Sequence, residues 1–168
     1  MSERLNNTLM GRAAVLEGLS GHPAVKAVLT WKPEALMGAK IDRGELTLTI
    51  AAEEIRAAAA TVKAAGYNFF EDMTAVDWFP SSPRFQLSYH IVSHSHKERI
   101  RLRVMLDGAA PAVDSITPVW PSANFYEREV FDLFGIVFEG HPNLRRIMMP
   151  DDWQGHPLRK DYPVEGYR

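Results

Sequence analysis

Two alternating runs near the middle of the chain constrain its fold more than any other feature. Phe85, Leu87, Tyr89 and Ile91 alternate with Gln86, Ser88, His90 and Val92. Ile100, Leu102, Val104 and Leu106 alternate with Arg99, Arg101, Arg103 and Met105. Period-two alternation sends successive side chains to opposite faces of a strand. With Ser93 to Glu98 as the turn, the two runs predict an antiparallel hairpin, which Asp107-Gly108 ends. One face is apolar and the other carries arginines.

Further elements extend this hairpin into a sheet. Glu45 to Ile50 alternates as a half-buried strand, and Asn68 to Phe79 reads as another, closed by Pro80-Ser81-Ser82-Pro83. Val25 to Trp31 is read as a short strand, with Pro33, Gly38 and Gly44 marking a loop after it. An alanine-rich helix is expected from about Ala52 to Ala65. Glu53 and Glu54 sit in its first turn, where they suit the helix dipole, and Gly66 stops it. Leu5, Leu9, Ala13, Leu16 and Leu19 recur at helical spacing near the start. The expectation is an α+β fold: a mixed or antiparallel sheet of about four strands with helices on one face, followed by an extended irregular C-terminal arm. Residues 1–138 form the α+β domain, and 139–168 the arm of that same domain.

Ser122 to Gly135 reads as a helix with Ser122 as N-cap and Gly135 as C-terminal stop. Tyr126, Val130, Leu133 and Phe134 share one side, which Phe131 widens. Arg128, Glu129 and Asp132 lie on the other, with Arg128 and Asp132 at i, i+4 spacing. Glu127 falls inside the apolar arc. Either it reaches water at the rim, or it meets an arginine or a row of backbone N–H groups, in this chain or another. Beyond Gly135, Ile136 to Phe138 suggests a strand. His141, Arg145, Arg146, His156, Arg159 and Lys160 then sit in a segment broken by prolines and glycines. Leu144, Ile147, Met148, Met149, Trp153, Leu158 and Tyr162 give that segment apolar anchors. Large apolar anchors with arginines between them suit an arm lying on a partner.

The inventory of chemistry is short. The 168 residues hold 19 Lys and Arg against 21 Asp and Glu, a net charge of −2, so no global basic field marks a nucleic-acid binder. There is no cysteine, which removes disulfides, thiolate-held clusters and a thiol nucleophile. No apolar run is long enough to span a bilayer, and the N-terminus has no signal-peptide pattern, so a cytoplasmic chain is expected. His90, His94 and His96 offer three metal-type ligands, but a solvated turn explains them better. The strip Arg99, Arg101, Arg103 fits a solvated sheet face better than a phosphate site. His141 and His156 each precede a proline. They read as hydrogen-bonding residues, since no nucleophile is marked beside them.

The segments Glu127-Arg128-Glu129, Asp132-Leu133-Phe134-Gly135-Ile136, Gly140-His141-Pro142, Leu144-Arg145-Arg146-Ile147 and Trp153-Gln154-Gly155-His156-Pro157-Leu158-Arg159-Lys160-Asp161-Tyr162-Pro163 closely resemble the 30 kDa subunit family of respiratory complex I. The likeness spans about residues 118 to 163. It implies a peripheral-arm subunit with no cofactor of its own, in a proton-pumping NADH:quinone oxidoreductase. Such subunits sit on the cytoplasmic face of the bacterial inner membrane, against the 49 kDa-type subunit that helps form the quinone site. The separate short form is expected, not one fused to that neighbour. Glu127, Arg128, Glu129, Asp132, His141, Arg145, Arg146, Trp153, His156, Arg159, Lys160 and Asp161 are then expected to serve docking or internal structure. A related membrane-bound hydrogenase or dehydrogenase is the alternative setting, and a free-standing histidine-dependent hydrolase a distant one.

Overall fold

A computed structural model describes residues 18–108 and 110–166; the apolar stripe from Leu5 to Leu16 lies outside them. Among the described residues the strands and main helices follow in the order β1 (Leu36–Asp42) after α1 (Pro23–Trp31), β2 (Glu45–Ile50), α2 (Ile55–Ala64), β3 (Phe69–Asp77), β4 (Phe85–Ser93), β5 (Glu98–Leu106), β6 (Ala112–Asp114), α3 (Ala123–Phe134) and β7 (Val137–Glu139). The main sheet has five strands in the order β1-β2-β5-β4-β3. Its centre is the expected hairpin, with Tyr89 opposite Leu102 and Leu87 opposite Val104. β2 joins β5 in parallel, with Leu48 beside Leu102, and β3 pairs antiparallel with β4. The sheet is therefore mixed.

Two expectations about the strands fail. Val25 to Trp31 is helical. Pro23 occupies the first turn, the His22 ring accepts the Ala24 N–H, and Ala24, Val25 and Val28 form a buried stripe. The stretch expected as a loop, Leu36 to Asp42, is an edge strand and brings the sheet to five strands. Arg43 and Gly44 join it to β2 with φ of 52° and 81°, the positive pair that a two-residue hairpin turn requires.

Helices α1, α2 and α3 cover one face of the sheet. The core gathers Leu46, Leu48 and Ile50 from β2, Phe85 to Ile91 from β4 and Ile100 to Leu106 from β5. Against these pack Val25 and Val28 of α1, Ile55 and Val62 of α2, and Val130 and Phe134 of α3. Ser122 does not cap α3. Its backbone is already helical, at φ −63° and ψ −20°, and its side chain makes no cap bond. Turns closed by Trp120 N–H to the Ile116 carbonyl and Ala123 N–H to the Trp120 carbonyl lead the chain into the helix instead. Gly135 ends the helix at φ 70°, as expected. Among the described residues no helix is long and apolar enough to cross a membrane.

Candidate functional site

Helix α3 buries two carboxylates, and the chain on either side of the helix comes to them. Glu127 is fully buried. Its Oε1 accepts the Ile116 N–H at 2.7 Å and its Oε2 the Ser115 hydroxyl at 2.6 Å. The partners thus precede the helix, and neither is an arginine. Glu127 does not reach water at a rim. His141 Nε2 stands 4.0 Å from Oε2. That ring accepts the Asn143 N–H on Nδ1 and donates from Nε2 to the Asn124 carbonyl, the pattern of a neutral imidazole. Burial, with the Arg128 charge adding to it, holds the His141 pKa down. For Glu127, burial outweighs its two donors and pushes the carboxyl up to about 7. The Tyr89 hydroxyl, also raised by burial and then by the Glu127 charge, is buried with no hydrogen-bond partner among the described residues.

Asp132, expected on the polar side of the helix, is fully buried, because residues 144–161 cross that side as a strap. Its Oδ2 accepts the N–H groups of Ile147, Met148 and Met149 at 3.0, 2.7 and 2.8 Å, and its Oδ1 accepts Arg146 Nη1 at 2.6 Å. Burial pulls this carboxyl up, but three N–H groups and a guanidinium outweigh it, and the net shift is downward. Arg128 is also buried. It does not use its i, i+4 spacing to Asp132; it donates to the carbonyls of Arg145 and Arg146.

The same strap satisfies the end of α3. The last carbonyls of a helix have no partner within it. Here His156 Nδ1 donates to the Asp132 carbonyl at 2.8 Å, Leu158 N–H to Leu133 at 3.0 Å, and Arg159 Nε to Phe134 at 2.5 Å. The Arg159 cation also lies where the helix dipole favours positive charge. A side chain on Gly135 would stand 2.5 Å from the His156 ring, so this position needs glycine for space as well as for its φ.

Farther along, the strap fastens to the sheet. Asp77, buried at the end of β3, accepts Arg84 Nε and Nη2 at 2.9 and 2.7 Å, the Phe79 N–H and the Lys160 N–H. Burial raises this carboxyl, but Arg84 and the two N–H groups prevail and hold it at about 2. Arg84 lies between the rings of Phe79 and Phe85 and turns its other edge to Asp161 at 2.7 and 2.9 Å. Lys160 therefore contributes its backbone and not its ammonium.

Of the predicted residues, Arg128, Asp132, Arg146, His156 and Arg159 meet in one cluster, with the carbonyl of Arg145. Glu127 and His141 form a second. Asp161 belongs to the Arg84 latch. Glu129 and Trp153 face solvent, and the Trp153 N–H closes a turn onto Pro150. Sequence reasoning missed Asp77, Arg84 and Ser115. Asp77 carries the signal that singled out Glu127, an acid at an inward-facing position. His90 pairs with Asp72 and accepts Arg101 Nε, and no group of His, Asp and Glu suited to a metal occurs among the described residues. Every carboxylate oxygen in the cluster around Asp132 is occupied by donors of the chain itself. The arrangement fastens one segment to another.

Residues 48–168 match the family model described as respiratory-chain NADH dehydrogenase, 30 Kd subunit. An NADH-quinone oxidoreductase subunit of Roseiflexus sp. (strain RS-1) is 44% identical over 135 residues, covering 79% of this chain and 78% of the relative. Its counterpart from Citrifermentans bemidjiense is 47% identical over 133 residues, covering 79% and 83%. Among solved structures, the trypsin-resistant fragment (1-134) of Nqo5 superposes with a TM-score of 0.63 at 34% identity, covering 72% of this chain and 99% of the fragment. A chain of a membrane-bound sulfane sulfur reductase, an archaeal respiratory membrane complex, superposes with a TM-score of 0.74 at 27% identity over 86% of both chains.

Proposed function

Because the chain belongs to the family of the respiratory-chain NADH dehydrogenase 30 kDa subunit, we propose that it is a non-catalytic peripheral subunit of a proton-pumping NADH:quinone oxidoreductase, seated on the 49 kDa-type subunit at the cytoplasmic face of the membrane. The match to the family, which takes in α3 and the whole strap, carries this reading. The chemistry of the strap supports it. Its backbone is fixed to its own domain through Asp132 and Asp77, while Met148, Trp153 and Leu158 turn outward, Met148 at 57% exposure. Apolar side chains held rigidly at a surface suit a permanent interface, because little order remains to be gained on binding. The work of such a subunit is to hold redox neighbours in fixed geometry.

The test is purification of the tagged chain from its host membranes, followed by identification of what accompanies it. A 49 kDa-type subunit together with an NADH-binding subunit is the expected result, and Met148→Glu with Trp153→Glu should release both. A chain recovered alone from gently solubilised membranes would end this reading. The likeness to the sulfane sulfur reductase chain favours a second one, an equivalent place in a related membrane complex with another electron donor. A 49 kDa-type partner without any NADH-binding subunit would select it.

A further inference from the structure

The sheet face turned away from the helices carries three arginines of β5, and they are not alike. Arg99 bonds to Glu45 and Glu71 at 3.1 and 3.3 Å. Arg101 bonds to Glu45 at 3.1 Å and to the His90 ring at 2.8 Å. Arg103 spends Nε and Nη2 on one neutral group, the Thr49 hydroxyl, at 3.1 and 2.7 Å. No carboxylate lies within ion-pair distance of it among the described residues.

Arg103 instead lines an open groove of about 350 Å³ with Trp78, Ser81, Pro83, Gln86 and Met105. Trp78 is 49% exposed. The groove is preformed. The Trp78 N–H bonds to the Arg84 carbonyl and the Ser81 N–H to the Trp78 carbonyl, both at 2.8 Å, and Arg84 is itself clamped between Asp77 and Asp161. A guanidinium beside an indole and a thioether, with an amide and a hydroxyl within the same groove, has every element of a carboxylate site except the carboxylate.

We infer that this groove receives an acidic side chain, with an apolar residue next to it, from a neighbouring subunit of the assembly. The inference rests on the assembly proposed above and names one place where it is held. The carboxylate meets Arg103 on the Nη1 side that Thr49 leaves and supplies the negative charge that Glu45 supplies to Arg99 and Arg101, and the apolar neighbour lies against Trp78 and Met105. Arginine and tryptophan are the side chains on which interface energy concentrates. The shape also favours a polypeptide. A groove this open does not enclose a small anion, as sites for small molecules do. It adjoins the Arg84 latch, so it continues the surface of the strap.

The test uses the tagged full chain in its host. With p-benzoylphenylalanine in place of Trp78, the expected product is a covalent link to another subunit, at a peptide containing Asp or Glu. Arg103→Glu should cut recovery of that subunit at least about tenfold in a salt-washed preparation, and Arg103→Lys less, since it keeps charge and loses the fork. The urea midpoint of isolated Arg103→Glu should match that of the unaltered chain. Full recovery with Arg103→Glu, where the unaltered chain also assembles, overturns the inference and leaves the assembly standing. So does a link to a peptide with no acidic residue. If the unaltered chain brings no subunit at all, the assembly reading fails first, and the inference with it.

Discussion

Glu127 and Asp132 lie five positions apart on one helix, are equally buried, and shift in opposite directions. Burial sets the direction for Glu127, and the donors set it for Asp132. Glu127 has one hydroxyl and one N–H; Asp132 has three N–H groups and an arginine. Removing Asp132 as Ala strands all four donors, and breaking a buried charged pair on one side costs roughly 3–5 kcal/mol. The urea midpoint of the isolated chain should fall accordingly, and Asp132→Asn, which keeps an acceptor, should fall less. Glu127 behaves the other way. Its folded pKa, about 7, stands above the unfolded value of 4.5. Between those two values the folded chain holds a proton that the unfolded chain has released. Its contribution is therefore complete below the unfolded pKa and is lost as pH rises through the window, at up to about 1.4 kcal/mol per pH unit. Glu127→Gln removes this slope. Unfolding curves of the two proteins at pH 5, 6, 7 and 8 should show Glu127→Gln gaining steadily on the parent up to about pH 7. Parallel behaviour across that range would mean the carboxyl is ionised throughout.

At the scale of elements, legibility follows packing. The hairpin β4–β5 is plain in the sequence because one face is buried along its whole length, so alternation survives there. β1 is hidden because it is an edge: Met37 and Ile41 are more than half exposed, and no alternation is enforced there. α1 reads falsely because Val25, Val28 and Leu29 suit a strand, while the burial of Ala24, Val25 and Val28 on the core decides for helix. The site divides in the same way. Glu127 stands out by its place in an apolar arc, but one partner is a backbone N–H, which leaves no trace in a sequence, and the other is the Ser115 hydroxyl, which lies outside the helix and beyond the reach of helical spacing. Asp132 looks solvated because helical spacing cannot foresee a strap lying over the polar side. That strap makes a further expectation specific. In hydrogen exchange on the isolated chain, the amides of Ile147, Met148, Met149 and Lys160, each bonded to a buried carboxylate, should be protected well above those of Asp151, Asp152 and Gln154. Asp132→Asn should lower protection at the first three and spare Lys160. Uniformly fast exchange after Glu139 would show that the strap is held only within an assembly.

In the whole molecule, the contacts that close the structure join residues far apart along the chain. Lys160 reaches Asp77 over 83 positions and Asp161 reaches Arg84 over 77, whereas the hairpin pairs residues a short turn apart. Closing such a span costs chain entropy before any contact rewards it, so long-range contacts tend to form late in folding. A contact absent from the transition state leaves the refolding rate alone when removed and shows itself in unfolding. Asp161→Ala should therefore leave the refolding limb of a chevron unchanged, and should raise the unfolding rate roughly two- to fivefold, as befits a half-exposed ion pair. Slowed refolding would mean the latch forms early. If the latch forms last, its rupture is the first step by which the folded chain is lost. The Arg84 bridge then governs how long a single molecule persists, much as a clasp limits the life of a necklace whose thread is sound.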